Sequence, residues 1–188
     1  MAVKLVRAYE NNQQLSERQQ KDINNARARA VRQAWKQEKE YVKEGKGTRD
    51  WDPKQQEDIL RNGNVQGFEG HHMRSVSNGK NYEEKMAIAE DKNNIQFLEK
   101  TKENNEHLKA HDGCTKNRTN GYYDVEKGKI KSFGENAPKA PKAEKLSNPV
   151  AKQEKQKEAS HTESYGIDMS KAETKSEHNR NKNIERGR

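Results

Sequence analysis

From Ser16 to about Glu44 apolar residues recur at helical spacing. Ile23, Ala26, Ala30, Val31, Ala34, Trp35, Tyr41 and Val42 fall roughly on one side. The pattern predicts one long amphipathic helix, with Ser16 and Gln19 as its capping box and Gly45 and Gly47 as its stop. Arg27 and Glu38 interrupt the apolar stripe, so the expected arrangement is a solvated helix docked through Trp35. From Trp51 onward the large apolar residues become denser. Asp52-Pro53 starts a short helix that Gly63 stops. Val65 to Glu69 reads as extended, residues 74 to 80 as a polar loop, Tyr82 to Glu90 as a short helix and Asn94 to Leu98 as a second strand. Thr101 is placed to cap a final helix that carries His107, Leu108 and His111 and ends at Gly113. The order strand, loop, strand, helix predicts a small α+β fold.

Composition restricts how much of the chain that fold occupies. Of the 188 residues, 28% are hydrophobic and 36% charged, too few apolar side chains for one core to enclose them all. The expected division is an N-terminal helical region over 1–50, a folded module over 51–125 and a low-complexity tail over 126–188. The tail holds Pro138, Pro141 and Pro149 among Lys, Glu, Ala, Ser and Asn, and disorder is expected from about residue 135. A formal charge of +8 favours a polyanionic partner, because lysine and arginine replace counterions on a phosphate backbone. Arg27, Arg29, Arg32, Lys36 and Lys39 could follow such a backbone, although a plain solvated face is the default for an interspersed charge pattern. A single cysteine, Cys114, excludes an intramolecular disulfide, and no apolar run approaches the roughly 20 residues that span a bilayer. Met1 to Ala8 contain no apolar core of a secretory signal, so export is expected by another route or as part of a larger parent chain.

The residues with chemistry to offer are histidines. His71 and His72 are adjacent at the end of Gly-Phe-Glu-Gly-His-His, and His107 and His111 stand four apart. On an extended segment neighbouring side chains point to opposite sides, so one ring of the pair can face a metal and the other an attacking water. On a helix, residues four apart lie one above the other, the spacing by which two ligands clasp one ion. Neutral imidazoles suit Zn, Ni or Co by ligand type, whereas Mg prefers oxygen. Phosphodiester hydrolysis needs both parts, a base near neutral pKa and a divalent charge. Asn94, between the two pairs, can donate and accept at once and so pin the strand bearing His72, while Glu69 could orient a ligand or position water. Arg74 and Lys80 are candidates for holding a phosphate, with solvation as the plainer reading, and Cys114 is read as a spectator thiol.

Glu-Gly-His-His at 69–72, Asn-Ile-Gln-Phe-Leu at 94–98 and Glu-His-Leu-Lys-Ala-His at 106–111 together resemble the GHH-signature branch of the HNH (ββα-metal, His-Me finger) endonucleases. That branch occurs as toxin modules of bacterial polymorphic toxins and is distantly similar to the DNase colicins. The resemblance covers roughly Trp51 to Tyr123, in which the stretch from Asn94 to His107 is longer than the family pattern. It implies a ββα-metal core and one divalent metal ion, Zn, Ni or Mg, held by His71, His107 and His111. It implies His72 as general base, Asn94 as the structural asparagine and Glu69 as a further functional acid. It also implies cleavage of DNA, an acidic immunity protein as partner and action in a target-cell cytoplasm. A ribonuclease on the same scaffold, or a binding protein with a closed structural metal site, are the alternatives.

Overall fold

The computed structural model describes residues 15–150. Helix α1, Glu17–Lys43, starts at the expected capping box: Ser16 Oγ accepts from the Gln19 amide at 3.2 Å, and Gln19 Oε1 accepts from the Ser16 amide at 3.0 Å. The helix is not a solvated appendage held by Trp35 alone. Ile23, Ala26, Ala30, Ala34, Trp35 and Val42 are all buried, because small side chains on its inner face let it lie close against its neighbours. Glu38, which interrupts the apolar stripe in sequence, is 1% exposed and fully used. It accepts from Trp51 Nε1 at 2.5 Å, from the Thr48 amide at 2.7 Å and from Thr48 Oγ1 at 2.8 Å. One carboxylate thus satisfies three donors and ties the 48–51 turn to the helix.

The main core forms where α1 meets the following segment. Trp35 stacks on Phe97 with ring centroids 3.8 Å apart, and Trp51 meets Phe68 edge-on at 5.0 Å. Helix α2, Pro53–Asn62, is capped by Asp52, whose side chain accepts from the Gln55 amide at 2.9 Å. Gly63 ends it at φ +79°, a left-handed conformation that glycine takes without a Cβ penalty. A second cluster joins α1 to α3, Tyr82–Glu90, through Ile23, Ala26 and Ala89.

Strand β2, Phe68–His72, pairs antiparallel with β3, Ile95–Glu99, setting His71 opposite Gln96 and His72 opposite Ile95. The last helix, α4, is shorter than expected. It spans Glu106–Ala110, its N-cap is Asn105 rather than Thr101, and His111 is its C-cap. Thr101 instead closes a turn: its amide donates to Asn104 O at 2.9 Å, and its hydroxyl accepts from the Asn104 amide at 3.0 Å. The extra length between Asn94 and His107 is absorbed there, outside the helix. Strand, strand and helix are therefore β2, β3 and α4, with α3 in the connection, as the α+β expectation required.

Disorder is expected from about residue 135, but the described residues as far as Val150 hold further elements and buried anchors. Strands β4, Gly121–Asp124, and β5, Lys129–Ser132, form a hairpin, and β6, Glu144–Lys145, pairs with β1, Lys46–Gly47. Leu146 and Val150 are buried. Buried Gln56 donates to Asn148 O at 3.0 Å and accepts from the Val150 amide at 2.9 Å, while Ser147 binds Asp50 through both its amide and its hydroxyl. Composition averages over such a stretch, whereas two apolar anchors and a satisfied backbone suffice to hold it down. Residues 151–188, the rest of the expected tail, lie outside the described residues, as do residues 1–14.

Candidate active site

Three imidazoles converge where β2 meets α4. The rings of His71, His107 and His111 have centroids 4.9 to 5.3 Å apart. One nitrogen from each lies within 4.8 Å of the others. His71 is placed by the β2–β3 register. His107 is placed by its neighbour Glu106, a buried carboxylate that takes both Arg49 guanidinium nitrogens at 2.7 and 3.1 Å and the Glu99 amide at 2.9 Å. Burial pushes the Glu106 carboxyl up, but the hydrogen bonds from Arg49 and the Glu99 amide outweigh it and hold its pKa below the usual value. The third ligand candidate, His111, is aimed by its backbone and by Asn117: Nδ1 donates to Asn117 O at 2.7 Å, which leaves Nε2 as the lone pair.

Two atoms of this cluster carry the case for an ion. His71 Nε2 and His107 Nδ1 are buried and meet no hydrogen-bond partner. A buried polar nitrogen left unpaired costs on the order of 1–3 kcal/mol, and a bound ion would satisfy both. Burial, reinforced by the charges of His111, His107, His72 and Arg27, pushes the pKa of His71 down to about 3, so its ring is neutral and its lone pair available. Burial likewise lowers His107, with His111 adding to the effect. A neutral all-nitrogen donor set suits Zn, Ni or Co better than Mg. The residues present fit a single divalent ion.

His72 faces away from that cluster, as its place one step along the strand requires. Its Nε2 donates to Ala89 O at 3.1 Å, fixing the tautomer with Nδ1 unprotonated. Burial lowers its pKa below the ordinary imidazole value, with the bond to Ala89 opposing in part, so this ring too is neutral near pH 7. Asn94 is fully buried and holds the residues after the pair from both sides: Oδ1 accepts from the Arg74 amide at 2.8 Å and Nδ2 donates to Arg74 O at 2.9 Å. The backbone adds Met73 N to Asn94 O at 2.9 Å.

The remaining candidates are placed elsewhere. Glu69 is half exposed and paired with Lys100 at 2.8 Å, outside the cavity that His71, His72, His107 and His111 line. Arg74 spends its guanidinium on Asn120 Oδ1 and Asn136 O, so it is a structural tie. Lys80 does not line the cavity and Cys114 is exposed.

Residues 16–99 match the family model of the GHH signature containing HNH/Endo VII superfamily nuclease toxins. Over that span the chain is similar to this family. Teneurins match part of the same chain: mouse teneurin-1 is 39% identical over 74 residues, 39% of this chain and 2% of its own length. Human teneurin-4 is 35% identical over 85 residues, 45% of this chain and 3% of its own. Zebrafish teneurin-3 is 33% identical over 85 residues, again 3% of its length. The chain thus spans only a few per cent of these curated relatives.

The family match begins at Ser16 and so includes α1 with the GHH strand, and it ends at Glu99, before His107 and His111. Geometry alone adds those two to the GHH module. The first letter of the signature has a packing reason. A Cβ on Gly70 would stand 2.8 Å from both Val31 methyls and 3.2 Å from Ile95 Cγ2. Bare backbone at Gly70 is what lets α1 lie against β2. Sequence reasoning missed Arg49 and Glu106 as the brace of α4, since nothing local links residues 57 positions apart. It also missed Lys85 and Lys116, which line the cavity where Arg74 and Lys80 were expected.

Proposed function

We propose that this protein is a metal-dependent endonuclease that hydrolyses phosphodiester bonds of DNA and acts as a bacterial toxin module. The observation that carries the reading is the pair of orphaned nitrogens, His71 Nε2 and His107 Nδ1, converging with His111 beside a histidine whose Nδ1 is free. His71, His107 and His111 would hold one divalent ion, Zn or Ni by donor type, with Mg the less natural occupant. Bound there, it would supply positive charge to a phosphate oxygen and to the departing oxygen. His72 takes a proton from water at Nδ1, and the Ala89 carbonyl steadies the imidazolium that results. Asn94 keeps the backbone after His72 from shifting and so keeps Nδ1 on line. Glu69 acts through its field on His107 and not by contact with the water. Toxin action in a target cell requires the producer to protect itself, and an acidic immunity protein would complement the +8 chain.

Incubating the purified chain with supercoiled plasmid and, separately, tRNA tests this, with Zn, Ni or Mg added and with a chelator. Nicking of plasmid that the chelator stops is the expected result. Cutting of tRNA alone would make it a ribonuclease, and metal-dependent folding without turnover of either would make the histidines a structural site.

A further inference from the structure

The cavity over the histidines is about 460 Å³, and its wall is unusual in composition. Arg27 from α1, Lys85 from α3 and Lys116 from the loop after α4 all line it, and among the described residues no aspartate or glutamate does. None of the three cations forms an ion pair among the described residues. Arg27 is one helical turn from Val31, the residue that packs onto Gly70. Residues four apart share a helix face, so the Gly70 contact that seats α1 also sets Arg27 beside the His71-His72 end of β2. None of the other cations of this helix, Arg29 among them, lines the cavity.

We propose that Arg27 is a substrate-binding residue of the site, gripping the phosphodiester at the histidines with Lys85 and Lys116 beside it, so that α1 is part of the active site and not only its support. This rests on the nuclease reading above. A guanidinium presents a planar fork that matches two phosphate oxygens, and an unpaired one needs no partner released before substrate arrives. Its charge already reaches the site: it is among the causes that lower His71, His72 and His107, though never the largest. An anionic phosphate beside Arg27 neutralises that charge when substrate binds. The three cations come from three separate elements, which fixes an anion in position more firmly than a row along one helix.

Binding and turnover separate the possibilities. The full chain carrying His72→Ala, alone and combined with Arg27→Ala or Arg29→Ala, is titrated with a labelled DNA duplex over a salt series in the presence of the divalent ion. Arg27→Ala should weaken binding roughly 10-fold and lower the salt slope by about 1, as one lost phosphate contact does. Arg29→Ala should do markedly less. In the otherwise native chain Arg27→Ala should lose roughly 10- to 100-fold in kcat/KM with unchanged melting temperature and metal content, and Arg27→Lys should recover part of it. Equal effects of the Arg27 and Arg29 substitutions on slope and on kcat/KM would overturn the assignment while leaving the hydrolytic reading intact. A native chain that never cuts, yet shows the Arg27-specific loss of slope, would sink the hydrolytic reading and keep the phosphate grip.

Discussion

His72 donates from Nε2 to the carbonyl oxygen of Ala89 at 3.1 Å, and this bond decides which of its nitrogens is left for chemistry. A carbonyl can only accept, so Nδ1 carries the lone pair.

His72→Ala should therefore lower plasmid cleavage by roughly 10²- to 10⁴-fold, the usual worth of a positioned base. Binding of one equivalent of Zn or Ni should persist, because the three converging rings belong to other residues. Metal content by mass spectrometry and nicking on gels check both halves, and full cutting by the variant would remove His72 as the base.

Metal should raise the melting temperature of the chelated protein in a concentration-dependent way, since an ion that binds only the folded state stabilises it by mass action. The orphaned atoms of His71 and His107 predict the larger share of that shift. His71→Ala should abolish the shift and, by opening a cavity at a residue 2% exposed, lower the metal-free melting temperature as well. Lys100→Ala, whose lost amine pairs with Glu69 and not with any of the three rings, should leave the shift in place. Differential scanning fluorimetry with and without chelator reads all of these.

The signature histidines, Asn94 and the caps at Ser16 and Asp52 were legible in sequence because each depends on chemistry or spacing within a few residues. The start of α4 was not, since Thr101 and Asn105 are both good caps and only tertiary contacts choose between them. The brace through it, Arg49 to Glu106, joins distant segments and has no local trace. The role of α1 was hidden for a different reason. Three of its seven buried residues are alanines, which score weakly as apolar, yet a side chain as small as Ala26 is what close approach to α3 demands. The tail to Val150 was obscured because its buried groups, Leu146 and Val150, stand alone among polar residues.

Gly70→Ala tests the contact between α1 and β2. The added methyl would meet two Val31 methyls at 2.8 Å, and a β-branched side chain has little freedom to move aside. A loss of about 1–3 kcal/mol in urea unfolding is expected from overpacking. Val31→Ala in the same chain should restore much of it, because it removes the opposing methyls. A double variant no more stable than Gly70→Ala alone would locate the strain elsewhere.

Glu38 supplies the pH-dependent prediction. Burial raises its pKa above 4.5, with the bonds from Trp51 and Thr48 pulling the other way. A raised folded-state value favours the protonated form, so this contribution to stability is fully present below pH 4.5 and is lost as pH climbs through the raised pKa. Glu38→Gln should remove the dependence. The amide oxygen can still accept from Trp51 Nε1 and the Thr48 amide, which both use Oε1, and the amide nitrogen can donate to Thr48 Oγ1. Native minus Glu38→Gln stability should therefore fall with rising pH, the difference cancelling every other titrating group. Glu38→Ala leaves three donors without their acceptor and should cost roughly 2–4 kcal/mol at neutral pH. Chemical denaturation at several pH values between 4 and 8 measures both variants, and a native-minus-Gln difference that is flat with pH would show that the carboxylate titrates as it does in the unfolded chain.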